Sequence, residues 1–111
     1  MTRNRPADAG VSRGIIYNMK NIAYLVIYKG RVQGVGFRYT VLRFAQGYDS
    51  LTGYVKNRQD GAVEMYAEGK DYEVESLLED ITTGPHAGYI KEVITNLMPP
   101  SGMYSDFKVE Y

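Results

Sequence analysis

Short apolar runs alternate along the chain with segments of helical period, and glycine-rich turns separate them. The run Tyr24-Leu25-Val26-Ile27-Tyr28 is β-branched and aromatic, which predicts a first strand buried on at least one face. Downstream, apolar residues recur at the i, i+4, i+7 and i+8 positions of one helix face, namely Phe37, Val41, Phe44 and Ala45. This spacing predicts a first helix that ends near Gly47.

The second half of the chain repeats this alternation. Further strands are predicted, in chain order, at residues 53–57, 62–67, 88–97 and 107–111. Asp60-Gly61 is typical of a tight turn and joins the first two of these strands in a hairpin. A second helix is predicted after the hairpin, ending at Gly84-Pro85, with its apolar face at Val74, Leu77, Leu78 and Ile81.

The predicted order is therefore βαββαβ with one additional strand at the C-terminus. Two interleaved β-α-β crossovers around a hairpin give an α+β, ferredoxin-like sandwich. It has an antiparallel sheet, two helices on one face, and a C-terminal edge strand. This fold is shared by RNA-binding modules, metal-binding domains, ligand sensors and enzymes, so the function has to be read from a site.

The N-terminal segment differs in composition from the rest. Residues 1–18 are rich in small and polar residues, and we expect them to form a disordered extension ahead of one domain at residues 19–111. Because Met19 stands just before the first strand, it is a hypothetical natural start. Alternatively, Ile15-Ile16-Tyr17 adds contacts to the domain.

Composition narrows the possible chemistry. The 111 residues carry a formal net charge of zero, no cysteine and one histidine, which argues against nucleic-acid binding, thiol catalysis and a cysteine or multi-histidine metal site. We expect no metal and no cofactor. No apolar run has membrane-spanning length, so we expect no membrane partner and a cytoplasmic location. The expected state is a monomer, although an exposed edge strand leaves room for weak pairing.

The segment Gly30-Arg31-Val32-Gln33-Gly34-Val35-Gly36-Phe37-Arg38 carries the strongest chemical signal. Its glycines let backbone N–H groups turn toward one point, and the start of the following helix adds its positive dipole end. The Arg38 guanidinium can donate hydrogen bonds to two oxygens at once. Phosphate fits such a site better than a neutral ligand. Taken alone, a Gly-x-Gly turn between a strand and a helix is weak evidence.

The nine-residue string, together with Gly53-Tyr54-Val55-Lys56-Asn57 about 20 positions downstream, resembles the signature of the acylphosphatases. The resemblance extends over residues 20 to 111. It implies a metal-independent hydrolase that cleaves acyl phosphates to a carboxylate and inorganic phosphate. It also implies catalytic roles for Arg38 and Asn57, with Asn57 orienting the attacking water, and a phosphate-binding loop consisting of Gln33, Gly34, Val35, Gly36, Phe37 and Arg38.

Several alternatives stay open beside this hypothesis. A non-catalytic anion-binding accessory domain, like related domains in larger carbamoyl-transfer proteins, would keep the loop without turnover. RNA stacking on Tyr28 and Tyr66 is disfavoured, because strand tyrosines usually pack. His86 is interpreted as a surface residue without a role. The segment 45–51 is about one residue longer than the resemblance leads us to expect, which could affect the geometry of Asn57.

Overall fold

The computed structural model describes residues 20–111, which form five strands and two helices. The strands are β1 (Asn21–Gly30), β2 (Thr52–Asn57), β3 (Val63–Lys70), β4 (Ile90–Met98) and β5 (Phe107–Glu110). The helices are α1 (Phe37–Gln46) and α2 (Asp71–Thr83), and a short 3₁₀ turn at Ala87–Tyr89 precedes β4. The predictions about residues 1–18 and Met19 lie outside the described residues.

The strands form one sheet in the spatial order β4-β1-β3-β2-β5. The pairs β4–β1, β1–β3 and β3–β2 are antiparallel. The edge strand β5 pairs in parallel with β2. This is the ferredoxin-like order with one added strand, as the sequence predicted. The direction of β5 matters for the site, because it brings the end of the chain beside the end of β2.

Both helices pack on the same face of the sheet, and they contact each other there. The apolar residues of α1 and α2 meet inward-facing residues of the central strands, including Val26, Tyr28, Val55 and Met65, all fully buried. The buried positions of both helices recur at helical spacing, which agrees with the predicted apolar faces. This layer fixes the N-terminus of α1 at one end of the sheet.

The turn between α1 and β2 contains the apparent extra residue. Ser50 in this turn donates from its backbone N–H and its hydroxyl to the Glu73 carboxylate of α2, at 2.9 and 2.7 Å. Beyond the turn, β2 pairs with β3 without a register break from Thr52 to Asn57. The strand is thus regular up to Asn57.

A carboxylate on the other face of the sheet anchors the loop before β5. The buried Glu68 accepts hydrogen bonds from the Tyr66 hydroxyl and from the Ser101 and Gly102 backbone N–H groups, at 2.8, 2.9 and 2.8 Å. Burial alone would raise the pKa of Glu68, but these bonds, with that of the Ser101 hydroxyl, outweigh it and lower the pKa below its ordinary value.

We therefore expect Glu68→Gln to lower the free energy of unfolding at pH 7 by about 1 to 3 kcal/mol. The amide nitrogen of glutamine would face an N–H or O–H group that needs an acceptor. A lowered pKa means that the carboxylate stabilises the fold above its ordinary pKa of about 4.3, and that this stabilisation is lost as pH falls through the folded value. Urea unfolding at pH 7 and pH 3 measures this, and the difference between wild type and variant should shrink at pH 3. The exposed Glu92→Gln is the control. Equal losses in both variants would contradict the anchoring role.

Candidate active site

The loop between β1 and α1, residues 31–36, is open at its two glycines. Gly34 and Gly36 have backbone φ angles of 77° and 81°, a region that favours glycine. No other part of the described chain lies within 4 Å of the place where a Cβ would stand at either residue. The loop thus exposes its backbone at these positions, as a loop that receives a ligand should.

The N-terminus of α1 adjoins this open backbone. Gly36 is its N-cap residue, no side chain caps it by a hydrogen bond, and its first turn holds no acidic residue. The first N–H groups of a helix have no partner within the helix, and they carry the positive end of its dipole. An uncapped start without a nearby carboxylate is therefore suited to an anion. By contrast, Asp71 and Glu73 lie in the first turn of α2.

The side chain of Gln33 fastens the loop to the β2–β3 hairpin. Its Nε2 donates to the carbonyl oxygens of Arg58 and Ala62, at 2.7 and 2.9 Å. These carbonyls lie at opposite sides of the hairpin turn, so one side chain ties the loop to both. Only the backbone of Gln33 is left for an anion, and the same holds for Phe37, whose ring is buried.

We expect Gln33→Leu to lower the free energy of unfolding by about 1 to 3 kcal/mol, since two hydrogen bonds are lost to carbonyls that each keep a backbone donor. The loop should also hold phosphate less tightly. Thermal unfolding and phosphate titration measure the two effects. Gln59→Leu replaces an exposed glutamine of the same hairpin and should change neither quantity. If both variants behaved alike, the loop would not depend on the Gln33 contacts.

Arg38, the second residue of α1, lies against the end of the chain. Its guanidinium donates to the Glu110 carbonyl oxygen at 3.3 Å, and its Cζ lies 5.0 Å from the centre of the Tyr111 ring. The Tyr111 hydroxyl in turn hydrogen-bonds the Tyr39 hydroxyl. Since a guanidinium has five N–H donors, these contacts orient the side chain while leaving donors for an anion.

Asn57 is exposed at the last position of β2. The parallel register pairs the preceding Lys56 with Glu110, so Asn57 lies beside the chain end that contacts Arg38. Asn57 and Tyr111 line one surface cavity. The structure thus brings both predicted catalytic residues to the same end of the sheet, around Tyr111.

Arg58, the neighbour of Asn57, is engaged in ion pairs. Its guanidinium nitrogens lie 3.0 Å from the Asp60 carboxylate and 3.6 Å from that of Glu64. Its positive charge follows directly after Asn57 in the chain. Because two carboxylates offset it, Arg38 is the better placed cation for an anion in the loop.

His86 contacts the loop, which the sequence interpretation missed. Its Nε2 lies 2.7 Å from the Val35 carbonyl oxygen, and its ring packs edge-on against Phe37 at 5.6 Å. The ring is partly exposed and its Nδ1 is buried, so His86 lies at the surface but also packs against the loop. No local sequence signal reveals this contact, because 51 positions separate the two residues.

The remaining chemistry of the described residues is limited. Within residues 20–111, no group of three or more histidine, cysteine or acidic side chains is arranged to hold a metal ion. No helix in that part of the chain is long and apolar enough to cross a membrane. The glycine loop with Arg38 and Asn57 is thus the best candidate for a functional site among these residues.

Together, a ferredoxin-like sandwich and a glycine loop followed by an arginine define a small α+β protein whose loop is suited to an oxyanion. The profile of the family described as Acylphosphatase matches residues 24–109. An acylphosphatase of Yersinia pseudotuberculosis serotype O:1b (strain IP 31758) is 42% identical over 90 residues, spanning 79% of this chain and 96% of that protein. The chain belongs to the acylphosphatase family, and the prediction of an acylphosphatase is confirmed.

Solved structures agree with this assignment. The crystal structure of acylphosphatase from Bacillus subtilis matches with a TM-score of 0.74 and 36% identity, covering 81% of this chain and 99% of that one. The crystal structure of T. kodakarensis HypF matches with a TM-score of 0.69 and 34% identity. It covers 81% of this chain but 12% of HypF, so the same fold also occurs inside a much larger protein.

Proposed function

We propose that the chain hydrolyses the carboxyl-phosphate anhydride bond of small acyl phosphates, and that residues 33–38 with Asn57 form its active site. The observation that carries this proposal is the open glycine loop at the uncapped start of α1, with Arg38 held beside it by the chain end. Family membership supports the reaction, and the geometry supports the location.

Substrate binding would use the loop backbone and Arg38. The phosphoryl group is a compact anion, and the N–H groups of residues 33–38 offer donors at the positive end of α1. Arg38 contributes a fixed charge and a planar pair of donors. As charge spreads over the equatorial phosphoryl oxygens in the transition state, this arrangement stabilises it without reorganisation.

The attacking water would be oriented by Asn57. Its amide has both a donor and an acceptor, so it can hold a water in line with the scissile bond at any ordinary pH. Asn57 suits this role because it is exposed at the end of β2, beside the chain end that orients Arg38. The oxygen of that water forms the new bond to phosphorus while the bond to the acyl oxygen breaks.

The leaving group explains why so few residues suffice. It departs as a carboxylate, whose conjugate acid has a pKa of about 4, so it needs no proton from a general acid. Positioning and electrostatic stabilisation can then supply most of the acceleration. The proposed reaction therefore needs no histidine, cysteine or cofactor.

Turnover of benzoyl phosphate by the wild-type protein, with a metal chelator present throughout, tests the proposed function. We expect release of benzoate and inorganic phosphate at a rate that the chelator leaves unchanged. Heat-denatured protein controls for spontaneous hydrolysis. Absence of turnover by the folded protein would contradict the proposal.

A second candidate is a non-catalytic anion-binding domain, which the match to a small part of HypF favours. Such a domain would bind phosphate through Arg38 and leave benzoyl phosphate intact. Phosphate titration of the wild-type and Arg38→Ala proteins, run beside the turnover assay, separates the two functions. Binding without turnover would favour the accessory domain.

A further inference from the structure

We propose that His86 is a positioning residue of the phosphate loop, which sets the direction of the peptide between Val35 and Gly36. This inference rests on the proposed function, since it concerns how the same loop binds phosphate. It begins from the 2.7 Å contact between His86 Nε2 and the Val35 carbonyl oxygen.

The contact shows which ring nitrogen carries a hydrogen. A carbonyl oxygen can only accept, so Nε2 must carry the hydrogen and donate it. The other ring nitrogen, Nδ1, is buried without a hydrogen-bond partner among the described residues.

The held carbonyl determines where the next N–H points. The Val35 carbonyl and the Gly36 N–H belong to one peptide unit, and residues 20–111 contain no cis peptide bond. In a planar trans peptide the two groups point in opposite directions. While the Val35 carbonyl points to the imidazole, the Gly36 N–H points away from it.

Without the imidazole, this peptide is free to turn over. Gly36 adopts positive or negative φ angles at similar cost, so a flip of the Val35–Gly36 peptide needs little energy. The flipped peptide would present a carbonyl oxygen to the phosphoryl group instead of an N–H. Like-signed partial charges would then repel, and the loop would bind phosphate only in its unflipped fraction.

The surroundings of His86 also favour a positioning role. Within the segment 86–89, the Tyr89 backbone N–H donates to the His86 carbonyl, and the Tyr89 carbonyl accepts from the Arg31 N–H, both at 2.9 Å. The segment thus contacts the β1–α1 loop at its start, through Arg31, and near its end, through Val35. Gln33 bonds the loop to the β2–β3 hairpin. The anchored residues Gln33 and Val35 therefore alternate with the exposed Gly34 and Gly36.

The test compares His86→Leu, which removes the donor, with His86→Gln, whose amide nitrogen can replace Nε2. We expect His86→Leu to raise the Kd for inorganic phosphate and the KM for benzoyl phosphate together, about 3- to 10-fold, which corresponds to one hydrogen bond. The kcat should stay within about twofold, because saturating substrate selects the competent loop. His86→Gln should restore both constants toward wild type.

The amide signal of Gly36 provides a readout that a merely structural role would not move. In ¹⁵N–¹H spectra without phosphate, the Gly36 signal of His86→Leu should differ from that of His86→Gln, which also lacks the imidazole ring, whereas at phosphate saturation the two signals should converge because bound phosphate selects the unflipped peptide. A folded His86→Leu variant with unchanged Kd, KM and Gly36 shift would overturn the inference. So would equal losses in both variants.

Two controls keep this inference separate from the proposed function. If the wild type neither binds phosphate nor turns over benzoyl phosphate, the proposed function fails, and the role of His86 fails with it. If the wild type binds phosphate and hydrolyses benzoyl phosphate, and His86→Leu does both equally well, the proposed function stands and only the role of His86 fails. Should His86→Leu not fold, ¹⁵N shifts of the wild-type imidazole decide: a proton on Nε2 supports the inference, and a neutral ring with its proton on Nδ1 overturns it.

Discussion

Arg38→Ala should lower kcat/KM for benzoyl phosphate by about 10³-fold or more, while the protein stays folded. Removing one well-placed oxyanion donor costs about 10²- to 10³-fold in other enzymes, and an arginine on a transferring phosphoryl group contributes about 10³- to 10⁵-fold. Arg38 supplies both a charge and a fork of donors. Steady-state kinetics with benzoyl phosphate measures the loss.

Arg38→Lys is the matched variant, because it retains the charge but not the planar fork. It should recover only part of the activity. Both variants should unfold close to the wild-type temperature, since the guanidinium has only an exposed ring and one carbonyl as described partners. Near-normal turnover by folded Arg38→Ala would show that the phosphoryl group is stabilised elsewhere.

Asn57→Ala should have a different kinetic signature, with kcat reduced by about 10²-fold and the Kd for phosphate close to wild type. The proposed partner of Asn57 is the attacking water and not the phosphoryl group. Losing the amide therefore misplaces the attacking water without weakening phosphate binding by the loop and Arg38. Single-turnover kinetics and phosphate titration measure the two quantities separately.

Gln59→Ala controls for substitution in the same hairpin, since Gln59 is exposed two positions beyond Asn57 and should leave both quantities unchanged. If Asn57→Ala weakened phosphate binding as much as it slowed turnover, Asn57 would be a phosphate ligand and not a water-orienting residue. The two roles are thus distinguished by which constant changes.

Local sequence was sufficient for the elements of the fold. The apolar face of α2 follows from the spacing of Val74, Leu77 and Ile81, which are all buried. The ferredoxin-like order then follows from the alternation of strands and helices. The direction of β5 is not encoded in this way, because an alternating pattern is the same whether a strand pairs in parallel or antiparallel.

The contacts around the site were less accessible, because they join residues far apart in the chain. Arg38 meets the Glu110 carbonyl across 72 positions, and Gln33 meets the Arg58 and Ala62 carbonyls across 25 and 29. Backbone acceptors carry no residue-type signal, so sequence cannot point to them. The glycine loop could be predicted because its chemistry is local, whereas its anchors depend on tertiary packing.

Hydrolysis of benzoyl phosphate in oxygen-18-labelled water tests the proposed mechanism at the reacting bond. If Asn57 directs water at a phosphoryl group held by the loop and Arg38, the label enters inorganic phosphate and the benzoate stays unlabelled. Enzyme-dependent labelling of the benzoate would mean attack at the acyl carbon, and it would contradict the roles assigned to Asn57 and Arg38.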